Sequence, residues 1–182
     1  MTLLRFENVT CRRGGRTLFE DLSFSLRPGE ALHLSGPNGS GKSSLIRLAA
    51  GLLRTEQGHV ERGPLALSDD ALALDGELPL ARALRFWGGG VDQSMGAMGL
   101  AHLAVVPVRL LSTGQKKRAT LARVAASEAP LWLLDEPLNG LDADGVERLD
   151  ALVVEHLASG GAVLAASHGP LGGTWSRLEL GA

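Results

Sequence analysis

The stretch Gly36-Pro37-Asn38-Gly39-Ser40-Gly41-Lys42-Ser43 fits the pattern G-x-x-x-x-G-K-[ST] and decides how the rest of the chain is read. Its flanks agree with it. Ala31-Leu32-His33-Leu34-Ser35 reads as a short buried strand, and Ser44-Leu45-Ile46-Arg47-Leu48-Ala49-Ala50 spaces its apolar residues as a helix does, with Gly51 placed to cap it. A glycine-rich turn between strand and helix curls backbone N–H groups around an anion at the positive end of the new helix. Gly36 through Ser44 therefore form the expected polyphosphate cradle, with Lys42 reaching the terminal phosphates and Ser43 offering a hydroxyl to a divalent cation. Chance explains the string poorly: lysine occurs only at 42, 116 and 117, so a chain of this composition would produce it about once in a hundred cases or less.

Composition narrows the class. With 182 residues, 45% hydrophobic and 21% charged, the chain is expected to be one domain with room for an inserted subdomain and a sizeable core. A net charge of −2, with no block of like charges, provides no basic field, so no nucleic-acid partner is expected. The weakly charged region from Leu157 to Trp175 is interrupted by five glycines and Pro170, which rules it out as a bilayer-spanning helix of ~20 apolar residues. Met1 to Glu7 lacks the charged-then-apolar order of a signal peptide, and the single Cys11 forms no internal disulfide; both favour the cytoplasm.

Around the loop, Leu3 to Cys11 and Leu22 to Leu26 read as strands joined near Gly14-Gly15, an antiparallel β layer that precedes the phosphate loop. His59 to Arg62 and Leu65 to Ser68 read as further strands. From Asp69 to Ser127 the pattern is helical, with helices at Leu80 to Trp87, within Val91 to Leu103, and at Gln115 to Ala126, and with Gly88-Gly89-Gly90 as an exposed hinge. Leu131 to Leu134 and Ala162 to Ser167 are apolar runs suited to a parallel sheet, separated by a helical stripe from Val146 to Leu157. The expectation is an α/β P-loop fold with a parallel central sheet, an N-terminal antiparallel β layer and an inserted helical subdomain. The core would take residues 1–68 and 128–182, and the helical subdomain 69–127.

Chemistry gathers at the strand ends, where open α/β sheets bind ligands. The apolar strand ending in Asp135-Glu136 supplies one carboxylate to hold a cation and a second to deprotonate an attacking water. His168 emerges from the other apolar strand. Leu111-Ser112-Thr113-Gly114-Gln115, followed by Lys116, Lys117 and Arg118, matches L-S-x-G-Q. Together with Leu138-Asn139-Gly140-Leu141-Asp142, these elements resemble the motifs of ABC-type ATPases in both residue pattern and order, over nearly the whole chain. The resemblance implies ATP and Mg²⁺ as cofactors, Glu136 as general base, His168 on the γ-phosphate, and Ser43 and Asp135 on the metal side. It also implies a homodimer of cassettes in which Ser112, Gly114 and Gln115 act in trans on the ATP of the partner.

Two positions depart from that family. Its usual adenine-stacking aromatic has no counterpart, since the chain contains no tyrosine and this region reads Cys11-Arg12-Arg13-Gly14-Gly15. Arg13 has two readings: its guanidinium plane stacks on adenine, at about 1 to 2 kcal/mol, or it is merely solvated. The glutamine that links the metal to the helical subdomain is also missing near Asp70-Ala71, where Asp70 reads equally as a metal-side contact or a helix cap.

Within the family the chain resembles the cassettes of cytochrome c maturation haem exporters, through Cys11-x-Arg13-x-x-Arg16-Thr17-Leu18-Phe19, Val106-Pro107-Val108 leading into Leu111, and Leu131-Trp132-Leu133-Leu134-Asp135-Glu136-Pro137-Leu138. That implies separate transmembrane subunits, CcmB- and CcmC-like, a peripheral place on the cytoplasmic face of the inner membrane, and a docking groove around Asp70 to Trp87. Cys11 and the five histidines fit core, loop or nucleotide positions better than haem ligands. The alternatives are another small ABC exporter, a soluble ABC protein of DNA repair or translation, and a P-loop small-molecule kinase. The soluble class normally carries two cassettes or a long coiled coil, and a kinase would leave Leu111 to Gln115 and His168 unexplained.

Overall fold

In the computed structural model, which describes residues 2–69, 71, 73–169 and 171–181, two sheets enclose one helix between them. The antiparallel sheet has the order β2-β1-β4, from β1 (Leu4–Arg13), β2 (Arg16–Leu26) and β4 (Gln57–Arg62). The parallel sheet has the order β5-β6-β7-β3-β8, from β3 (Ala31–Ser35), β5 (Leu65–Ser68), β6 (Leu131–Asp135), β7 (Ala162–Ala166) and β8 (Ser176–Glu179).

All residues of β6 and β7 are buried because both faces of this sheet are covered, so each strand must be apolar on both sides. Leu131, Leu133 and Leu164 face helix α1 (Lys42–Ala50), whose Leu45, Ile46 and Leu48 also pack on Phe6 and Val9 of the antiparallel sheet. Burial of each large side chain here contributes roughly 1.5 to 3 kcal/mol. Trp132, Leu134, Val163 and Ala165 point the other way. They pack with α5 (Ala143–Ala158) and with helices α2 (Leu80–Arg85), α3 (Val91–Ala97) and α4 (Thr113–Ala126). In the chain segment that links Ser68 to Leu131, the only strand-like pairing among the described residues is the isolated bridge of Pro79 with Pro107. Cys11 lies in the core between the sheets, where burial pushes its thiol pKa up.

Three local features differ from the sequence reading. The second strand starts at Arg16 and not at Leu22: its first half is an exposed edge paired only with β1, from Arg13 opposite Arg16, so no buried face marks it in sequence. Strand β8 was not expected; it is mostly exposed and carries one half-buried leucine, Leu178. Gly88 is no exposed hinge. A Cβ there would lie 1.9 Å from the Ala126 carbonyl oxygen, so glycine is needed to let this turn pass close against the end of α4. No helix among the described residues is long and apolar enough to cross a membrane.

Candidate functional site

The loop between β3 and α1 depends on glycine geometry. Gly36, Gly39 and Gly41 have φ of 140°, 80° and 106°, and a Cβ on Gly36 would lie 2.3 Å from the Leu180 carbonyl oxygen. Lys42, the first residue of α1, is buried and donates from Nζ to the carbonyls of Gly36 at 2.8 Å and Pro37 at 3.2 Å. An ammonium is thereby fixed beside the positive end of the helix. Ser40 is buried within the loop, and its hydroxyl has no hydrogen-bond partner among the described residues.

Ser43 donates from Oγ to Asp135 Oδ1 at 3.0 Å, joining the start of α1 to the end of β6 across 92 positions. Glu136 follows with φ of 47°, a left-handed conformation that turns the chain out of the strand. Its N–H donates to the Ala166 carbonyl at 2.8 Å, and its own carbonyl accepts from Lys117 Nζ at 2.9 Å. With the backbone pinned on both sides, the side chain reaches His168, and Glu136 Oε1 lies 3.3 Å from His168 Nε2.

Arg13, Asn38, Gly39, Gly41, Lys42, Ser43, Ser44, Glu136 and His168 line one cleft of about 510 Å³, together with Leu18 and Asn139. Arg13 reaches it because β1 and β2 turn back tightly at Gly14 and Gly15, both with positive φ. Gly36, Pro37 and Ser40 complete the loop without lining the cleft, and Asp135 meets it through Ser43.

Ser112, Gly114 and Gln115 are not among the cleft residues. They build the start of α4, where Ser112 Oγ accepts from the Gln115 N–H at 3.3 Å and Gln115 Oε1 accepts from the Ser112 N–H at 2.8 Å. A Cβ on Gly114 would lie 3.3 Å from the Gly140 carbonyl oxygen, so this turn rests against the Leu138 to Asp142 loop. Asp142 in turn caps α5 and pairs with Arg118.

Sequence reasoning missed the structural parts played by Lys117, Asn139 and His33. Lys117 was visible only as part of a basic helix start, and His33 only as a strand residue. Asp70 lies outside the described residues. Arg123 is buried, donates to the Leu67 carbonyl, and stacks with its guanidinium carbon 4.6 Å from the Trp87 ring centre. Burial lowers its pKa, with the Asp69 carboxylate opposing. A second cavity of about 390 Å³, between Glu128, Trp132 and His156, contains none of the predicted site residues. His156 stacks on Trp132 there, and burial lowers its pKa.

Comparison with known proteins places these features. The family model described as ABC transporter matches residues 19–139. A protein of Sphingopyxis alaskensis named "Cytochrome c biogenesis ATP-binding export protein CcmA" is 57% identical over 174 residues, covering 91% of this chain and 90% of that protein. One of the same name from Novosphingobium aromaticivorans is 60% identical over 168 residues, covering 90% and 87%. Among solved structures, an ATP-binding subunit of an ABC transporter superposes with a TM-score of 0.84 at 24% identity, over 92% of this chain and 80% of that one. A nucleotide-free cassette from an ABC transporter superposes with a TM-score of 0.76 at 21% identity, over 92% and 82%. At these identities the structural matches establish the fold.

Proposed function

Because this chain belongs to the ABC transporter family of ATP-binding subunits, we propose that it is the ATP-hydrolysing subunit of the complex that exports or delivers haem in cytochrome c maturation. The observation that carries the reading is the single cleft that joins the phosphate loop, the Ser43–Asp135 contact and the Glu136–His168 pair, while the Ser112 to Gln115 turn stays outside it. One chain then supplies half of each catalytic site. Two copies close head to tail around two ATP molecules, each Ser112 to Gln115 turn presenting its helix N-terminus to the γ-phosphate held by the other copy.

In this reading Lys42 balances the charge of the β- and γ-phosphates, Glu136 accepts the proton of the attacking water, and His168 contacts the γ-phosphate. Ser43 Oγ and Asp135 Oδ1, 3.0 Å apart, are hard oxygen donors of the kind Mg²⁺ takes, Ser43 directly and Asp135 through water. The bound ion would neutralise charge developing on the phosphate oxygens. The subunit sits peripherally on the cytoplasmic face of the inner membrane against CcmB- and CcmC-like partners, with residues 69–127 as the helical subdomain and the groove towards Trp87 as the docking face.

Arg13 lines the cleft, which favours stacking on adenine over simple solvation. Arg13→Ala should weaken ATP binding about tenfold, read by calorimetric titration; an unchanged affinity would assign Arg13 to solvent.

The functional test is tagged purification from detergent-solubilised native membranes, with identification of the co-purifying chains and a haem absorbance scan. Two polytopic subunits with haem or a haem carrier are expected. Recovery of a different permease would keep the ATPase and overturn the cargo.

A further inference from the structure

Strands β3 and β7 run parallel as far as the pair Leu34 and Ala166. There β7 ends and the chain turns through Ser167, His168 and Gly169, so the Ser167 carbonyl has left the ladder. His33 takes it over from the neighbouring strand. Its Nε2 lies 2.9 Å from that oxygen, and because a carbonyl only accepts, the ring carries its proton on Nε2. Ser167 is buried and is tied again within the turn, its hydroxyl accepting from the Gly169 N–H at 3.2 Å and donating to the Gly169 carbonyl at 3.1 Å. The next side chain, His168, is more than half exposed, at 54%, and reaches Glu136 at 3.3 Å. His33 and His168 also line one shared cleft of about 370 Å³ next to the phosphate cleft.

An exposed imidazole is mobile unless its backbone is held, and the hold on this backbone spans 134 positions of sequence. We infer that His33 is a positioning residue for ATP hydrolysis, holding the Ser167 carbonyl so that His168 stays aimed at Glu136 and the γ-phosphate. The inference rests on the role given to His168 above.

The test measures steady-state ATP hydrolysis by the purified full chain. His33→Leu should lower kcat roughly fivefold to tenfold, as loss of one half-buried hydrogen bond predicts, with KM for ATP within about twofold. His33→Gln keeps a terminal N–H of similar reach and should recover kcat to within about threefold of the parent. His33→Asn stops short of the carbonyl and should behave like His33→Leu, so the result survives if the leucine variant folds poorly. In a His168→Ala background, His33→Leu should change kcat by less than about twofold, because its effect passes through His168. If His168→Ala lowers kcat but His33→Leu and His33→Asn do not, the positioning role is wrong. It is equally wrong if His33→Leu keeps its full effect in the His168→Ala background. If His168→Ala itself leaves kcat unchanged, the role of His168 falls, and the inference with it.

Discussion

Lys42→Ala is expected to abolish ATP turnover, lowering kcat by about a hundredfold or more, with the fold kept. The ammonium is buried at the first position of α1 and is held by two loop carbonyls, Gly36 at 2.8 Å and Pro37 at 3.2 Å. Its position is therefore set before any phosphate arrives, and little reorganisation is required when charge builds on the γ-phosphate. Alanine removes that charge and leaves two carbonyls at the edge of an open cleft, where water replaces the lost bonds. The stability cost should be small, of the order of 1 kcal/mol for each bond, because water takes the place of the ammonium. A thermal melt within a few degrees of the parent, together with loss of phosphate release, is the expected pair of results. Turnover within tenfold of the parent would remove Lys42 from the phosphate site.

What could be read from sequence was what is locally periodic. Gly36 to Ser43, the apolar run of β6 and the Ser112 to Gln115 helix start each carry their pattern within a few residues, and each lies where that pattern predicts. What could not be read is edge structure and contact across the fold. Arg16 to Asp21 and Ser176 to Glu179 form strands with little buried face, so alternation does not mark them. Gly88 resembles a loop glycine in sequence, and only the approach of Ala126 shows it to be a packing residue. The order of the motifs announced Ser43, Asp135, Glu136 and His168 as a group. That Ser43 bonds Asp135, that Lys117 holds the Glu136 backbone, and that His33 holds Ser167 depends on strands and helices meeting from distant parts of the chain.

Glu136→Gln should lower kcat by about two to four orders of magnitude while ATP binding survives. The backbone of Glu136 is fixed by the Ala166 carbonyl on one side and Lys117 on the other, with φ of 47°, and none of these contacts involves the carboxylate. Glutamine therefore occupies the same place with nearly the same shape. It keeps an oxygen to face His168 Nε2 but loses the negative charge and with it the ability to take a proton from water, so the variant separates binding from chemistry. Because the Ser112 to Gln115 turn lies outside the cleft of its own chain, ATP that is bound and not hydrolysed should hold two copies together. With MgATP, Glu136→Gln is expected to elute as a dimer in size-exclusion chromatography with light scattering, and Lys42→Ala as a monomer. Hydrolysis by Glu136→Gln at the parental rate would show that Glu136 is not the base. A Glu136→Gln chain that binds ATP tightly but stays monomeric would leave the base assignment intact and remove the second copy from the site.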